Sequence, residues 1–209
     1  MTTDAELIVP EGVGTPTSIP ADVFAAATAA YVAEQRIDMR ALANELGIGR
    51  ATLYRRAGNR EELIDELIWW RSRNALADAA NASADRRGVP RLVAMIDQLL
   101  RRIENDRPLH AFLENDPEVA LRILTGAHSL VQQGMSKSLE RLIELEVTRG
   151  HFVADLDAST LAYAIVRISE GFLYADIIAD RSPDIDRAST VIEALMRGLD
   201  TSTRFASAP

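Results

Sequence analysis

The chain has 209 residues, 47% of them hydrophobic and 26% charged, with no cysteine, three histidines and a formal net charge of −8. That composition suits a folded globular chain with a core, excludes disulfides and thiolate metal sites, and leaves no apolar run near the roughly 20 residues of a membrane helix. The acidic total argues against nucleic acid only until it is mapped: residues 1–34 hold five acids and no base, residues 35–60 hold six arginines against two acids, and acids prevail again beyond.

Residues 1–18 open the chain with Gly, Pro and Thr and no base, which predicts a mobile arm and no secretory leader. From Ile19 onward Ala, Leu, Arg and Glu dominate, apolar residues recur at helical spacing, and no alternating strand pattern occurs. The first helix is expected over 20–34, with Pro20 tolerated in its opening turn. A second covers 39–46, capped by Asp38 and stopped by Gly47. A third, short one runs from after Gly49 to about Arg56. Asn59 and Glu62 then form a capping box for a helix reaching about residue 82. Further helices are expected over 90–105, 108–113, 117–149 with a kink near Gly126, 158–179 after an Asp157 cap, and from after Pro183 to 199. This makes nine or ten helices and no sheet.

The informative stretch is 39–54. Two helices meeting at a steep angle need a small residue at their contact, which Ala43 supplies, and a positive-φ residue in the turn, which Gly47 supplies. Leu42, Leu46, Ile48 and Leu53 fill the angle between them. The second of these helices presents Arg50, Thr52, Tyr54 and Arg55 away from Leu53, where donors suit base edges and phosphates in a major groove. Arg60 adds a cation in the first turn of the next helix. The bland alternative is a helical hairpin with ordinary surface arginines.

The segment 41–63, from Ala41-Leu-Ala-Asn-Glu-Leu-Gly to Arg60-Glu-Glu-Leu63, resembles the N-terminal signature of TetR-type repressors. The Tyr54-Arg-Arg-Ala-Gly-Asn-Arg60 stretch and the helical body are similar to the QsdR-like branch, linked to quorum signals and γ-lactone breakdown. The resemblance implies an all-α homodimer with a three-helix DNA-binding head over 19–63 and a helical bundle over 64–203 for ligand binding and dimerisation. It places Ala51, Thr52 and Tyr54 where the family's recognition helix touches DNA, and Arg60 where a lysine commonly grips phosphate. Two departures stand out. Arg56 and Ala57 occupy positions where aromatics are common, which weakens packing under the recognition helix and leaves its end more basic, and Gly49 stands where a serine commonly caps.

In the body, the helix over 158–179 is apolar nearly all round, from Leu161 to Ile177 and Ile178, so it needs cover on several sides. A second copy is the natural cover, joined by the final helix with Ala188, Val191, Ile192, Leu195 and Leu199. Ligand-facing candidates are the polar or aromatic residues scattered through apolar helices: Phe112, His128, Gln132, Met135, Tyr163, Arg167 and Tyr174. Arg167 has Glu170 one turn on, which would make that pair structural. The expected ligand is a small amphipathic inducer, a lactone-type signal among the candidates. No phosphate loop, nucleophile elbow or metal-ligand spacing is present, so the expectation is a cytoplasmic regulator that binds double-stranded operator DNA, not an enzyme, with no cofactor, metal or membrane contact. The rival reading is a helical interaction module, or a small-molecule binder without an operator.

Overall fold

A computed structural model describes residues 4–9, 19–179, 181 and 183–201, without the side chains of residues 175–178. The expected arm falls outside the described residues over 10–18, and the Ile177 and Ile178 side chains fall outside them too. Among the described residues the chain is helical, with one isolated bridge, Ala154 to Asp200, and no strand. The helices are α1 (Asp4–Ile8), α2 (Ala21–Val32), α3 (Met39–Glu45), α4 (Arg50–Ala57), α5 (Arg60–Ala82), α6 (Gly88–Glu104), α7 (Arg107–Asn115), α8 (Pro117–Thr125), α9 (Leu130–Thr148), α10 (Ala158–Ile178) and α11 (Ile185–Leu199). No helix among the described residues is long and apolar enough to cross a membrane.

The chain forms two compact units, each assembled from more than one stretch of sequence. One comprises residues 12–73 and 106–134; the other comprises 1–11, 74–105 and 135–209. In the first, α2 packs on α3 and α7, α3 on α4, and α7 on α8. Val23, Ala27, Leu53, Leu63 and Leu67 are fully buried there. Trp69 is fully buried as well, and Trp70 meets Phe24 edge-on with ring centroids 5.5 Å apart.

One long helix was expected over 117–149, and the structure makes two. Helix α8 ends at Gly126, which is extended, and Ser129 caps α9 by accepting the Gln132 amide at 3.0 Å. The Asp65 carboxylate on α5 adds a second cap, accepting the Leu130 amide at 2.8 Å and the Val131 amide at 3.3 Å. Desolvation raises the Asp65 pKa in spite of those two bonds. An acid 65 residues upstream in sequence is invisible to local pattern.

In the second unit, α11 packs on α6 and α10, and α10 on α6. Its buried polar centre joins three helices: Arg91 on α6, 1% exposed, donates to Glu146 on α9 at 2.7 Å and to Asp4 on α1 at 2.6 Å. Glu146, fully buried, also accepts the Gly88 amide at 2.6 Å, and Arg149 donates to Asp4 at 2.7 and 2.9 Å. Burial of two charges is tolerable here because each is paired and hydrogen-bonded. This network corrects the expectation of a mobile arm at residues 4–8: Asp4 is fixed by two guanidiniums, and Ile8 is fully buried.

Candidate nucleic-acid interface

Asp38 caps α3 by accepting the Ala41 amide at 2.7 Å. The helix ends in a turn where the Ile48 amide donates to the Ala43 carbonyl at 3.0 Å and the Gly47 amide to the Asn44 carbonyl at 3.1 Å. That pair of bonds defines a Schellman ending. Gly47 has φ 65° with open space where a Cβ would stand, so backbone conformation, not crowding, calls for glycine. Ala43 is 1% exposed at the crossing of α3 with α4; Leu42 and Leu53 are buried, while Leu46 and Ile48 are only half-buried.

Leu53 and Ala57 face inward from α4, and this fixes what the helix shows to solvent. Arg50, Ala51, Tyr54 and Arg55 are exposed, and Thr52 is half-buried at the edge of the same surface. Tyr54 is 49% exposed on that surface. The capping box forms as expected: the Asn59 amide donates to Glu62 at 2.8 Å, and the Glu62 amide to Asn59 at 3.0 Å.

The six arginines of the basic island divide into two groups. Arg40, Arg50 and Arg55 are exposed and make no side-chain hydrogen bond or ion pair among the described residues. Arg56 donates to Asp22 on α2 at 2.8 and 3.0 Å. The ion pair holds the end of α4 where aromatics commonly do, and it makes that end less basic than the sequence implied. Arg36 and Arg60 both donate to Asp116. Arg60, expected at a phosphate, is engaged within the chain: its Nε donates to the Ile37 carbonyl at 2.6 Å and its Nη2 to Asp116 at 2.5 Å. Arg40, outside the expected set, is an exposed cation on α3, the first helix of the pair.

The ligand-facing candidates are split between the units. Phe112 is buried with its ring centroid 6.4 Å from that of Tyr31, Gln132 is 5% exposed, and His128 is exposed. In the other unit Met135 is half-buried and Tyr174 buried, where desolvation, with the Glu170 charge, raises its phenol above the ordinary value. Arg167 donates to Glu170 at 2.8 Å and lies 5.1 Å from the ring of Tyr163, which is 55% exposed. Desolvation, against the pull of Arg167, pushes the Glu170 carboxyl up to about 7. His128, in the turn between α8 and α9, and Tyr163, on α10, thus face solvent. Two buried ring nitrogens outside the expected ligand-facing set, Trp69 Nε1 and His110 Nε2, have no hydrogen-bond partner among the described residues.

An exposed cationic helix, set by a tight turn within an all-helical chain, defines a helix-turn-helix regulator of transcription. Residues 87–197 match the family model of the tetracyclin repressor-like C-terminal domain. The chain belongs to that family, the TetR family of DNA-binding transcriptional regulators. Its structure is similar to that of the R. erythropolis transcriptional repressor QsdR from the TetR family, at 26% identity and a TM-score of 0.77, over 87% of this chain and 97% of that one. The fold is shared with the fatty acid degradation regulator FadR from Bacillus halodurans, at 16% identity and a TM-score of 0.56, over 85% of this chain and 93% of that one. No curated protein matches the chain.

Proposed function

We propose that this regulator is a homodimeric repressor that reads an operator with α4 and leaves it when a small amphipathic ligand binds the helical body. The observation that carries the reading is the solvent face of α4. Arg50, Ala51, Tyr54 and Arg55 stand exposed, with Thr52 at their edge, over a buried Leu53, and among the described residues Arg40, Arg50 and Arg55 keep their charges uncommitted while Arg36, Arg56 and Arg60 are paired. Phosphate contacts need uncommitted cations, and base edges need exposed hydroxyls and guanidiniums. Residues 19–63 serve as the DNA-binding head and 64–203 as the ligand-binding and dimerisation body.

A second copy is supported by the unsatisfied surfaces of α10 and α11. Tyr163 is 55% and Val191 40% exposed, and Gly171 and Gly198 face open space where another helix backbone would approach closely. Two-fold symmetry would set two α4 helices on half-sites roughly 34 Å apart. Ligand binding is supported by the buried Trp69 Nε1 and His110 Nε2, since buried polar atoms in native proteins nearly always find a partner. The resemblance to the QsdR-like branch favours a lactone-type signal as the inducer.

A gel shift of the full-length protein on DNA flanking its own gene tests the proposal. Retardation that survives competitor DNA and is reversed by acyl-lactones supports it. DNA left unretarded even at low salt contradicts it.

A further inference from the structure

Asp116 stands at the corner between α7 and α8, and its backbone serves both helices. Its amide donates to the Phe112 carbonyl at 3.0 Å, and its carbonyl accepts the Ala120 amide at 2.9 Å. An aspartate immediately before a helix usually spends its carboxylate on the helix's first amides. Here it makes no such cap. Both oxygens instead receive guanidinium groups: Arg36 donates from Nε at 2.9 Å and from Nη2 at 3.2 Å, and Arg60 from Nη2 at 2.5 Å. Arg60 also reaches the Ile37 carbonyl, so the two arginines and the 36–38 backbone are tied into one knot.

The places these arginines come from give the knot its meaning. Arg36 precedes α3 by three residues, and Arg60 is the first residue after the α4–α5 turn. One carboxylate therefore fastens the entrance of the helix-turn-helix and its exit. The other ion pairs from this corner to the head, Arg107 with Glu34 and Arg122 with Glu61, involve side chains 40% exposed or more, where screening leaves little. Asp116 is 13% exposed and Arg60 20%, so their pairing is far less screened. Hydrogen bonds from Arg36, opposed by desolvation and joined by Arg60, hold the Asp116 carboxyl below its ordinary range, so the clamp is charged near neutral pH.

We infer that Asp116 is a positioning residue for DNA recognition: its carboxylate holds both ends of the helix-turn-helix, and so fixes the attitude in which α4 meets the duplex. This rests on the reading of α4 as the recognition helix. It assigns Arg60 and Arg36 to orienting α4, with phosphate contact left to Arg40, Arg50 and Arg55. The α7–α8 corner then sets how well the head fits its site without touching DNA.

The test uses the full-length protein and its Asp116→Asn, Asp116→Glu and Arg36→Gln variants, read by amide hydrogen exchange and by fluorescence anisotropy on DNA. In Asp116→Asn, amides of residues 38–58 should exchange about tenfold faster while α6 and α11 keep their protection. Affinity for the specific duplex should fall about tenfold, with affinity for an unrelated duplex not lowered. Asp116→Glu, which keeps the charge, should recover most of both effects, and Arg36→Gln, which removes only the exposed arm, should show a smaller change in the same direction. Unchanged exchange over 38–58 overturns the inference, as does tighter binding to both duplexes, which would mean that the carboxylate merely withholds cations. If the unmodified protein binds no DNA specifically, the recognition reading falls, while exchange over 38–58 still decides whether the clamp orders the head.

Discussion

Helix α9 carries a glycine, Gly134, in its first half, and a methyl group there should reverse the usual sign of a glycine-to-alanine change. In an exposed helix interior that substitution gains roughly 1 kcal/mol. At Gly134 a Cβ would stand 2.5 Å from Cζ2 of Trp69 and closer still to Cη2 and Cζ3. Carbon atoms rest about 3.5–4.0 Å apart, so either the helix or the indole must shift by about 1 Å. Trp69 has no exposed surface and no room to swing. Overpacking of this kind costs typically 1–3 kcal/mol. A rigid ring against a backbone belongs at the upper end, so Gly134→Ala should destabilise by about 2 kcal/mol net of the propensity gain. For a chain of this length that lowers Tm by about 4–8 °C, measured by circular dichroism. Trp69→Phe removes the obstructing atoms, and in that background Gly134→Ala should be neutral or stabilising, a coupling of about 2 kcal/mol in a double-mutant cycle. Stabilisation by Gly134→Ala in the unmodified chain would refute the close approach of α9 to Trp69.

Glu146→Gln leaves Arg91 buried with Asp4 as its remaining carboxylate, and urea unfolding should show a loss of about 3–5 kcal/mol; a loss within about 0.5 kcal/mol would contradict the buried pairing. Hydrogen bonds from Arg149, opposed by desolvation and joined by Arg91, hold the Asp4 carboxyl down at about 2, against an ordinary 3.8. The pKa is lowered on folding, so the stabilisation is present above 3.8 and is lost as pH falls through about 2. Asp4→Asn should therefore be less stable than the unmodified chain at neutral pH and approach it in acid; a pH-independent difference would count against the ion pairs. Val191→Glu, at an exposed apolar position on α11, should give monomers in sedimentation velocity, and an unchanged dimer would place the interface elsewhere.

How much of this was readable in the sequence depends on the distance over which each cause acts. Local signals were read correctly. Asp38 capping α3, Gly47 turning the chain, the Asn59–Glu62 box and the small Ala43 at the crossing all act within a few residues, and all are present. The pairing of Arg167 with Glu170, one helical turn apart, was read the same way. Long-range partners were not. The start of α9 depends on a cap from Asp65, the fixed N-terminal turn depends on Arg91 and Arg149, and the fate of Arg60 depends on Asp116, 56 positions later. A charge count cannot say which arginines are spent on carboxylates of the same chain, so the basic island looked uniformly available when half of it is paired. The ligand-facing set was the least readable part, because exposed Tyr163 is no different in helical pattern from buried Tyr174, and His128 falls in the turn between α8 and α9 where one continuous helix was expected.

Whether α4 reads DNA is tested most directly by anisotropy titrations over a range of salt. The unmodified protein should bind a duplex from its own control region far more tightly than an unrelated one, with log affinity falling linearly with log salt. Thr52→Ala combined with Tyr54→Ala should abolish that preference while helicity and the salt-dependent, sequence-independent binding remain. Full preference for the specific duplex in the double variant would contradict the claim.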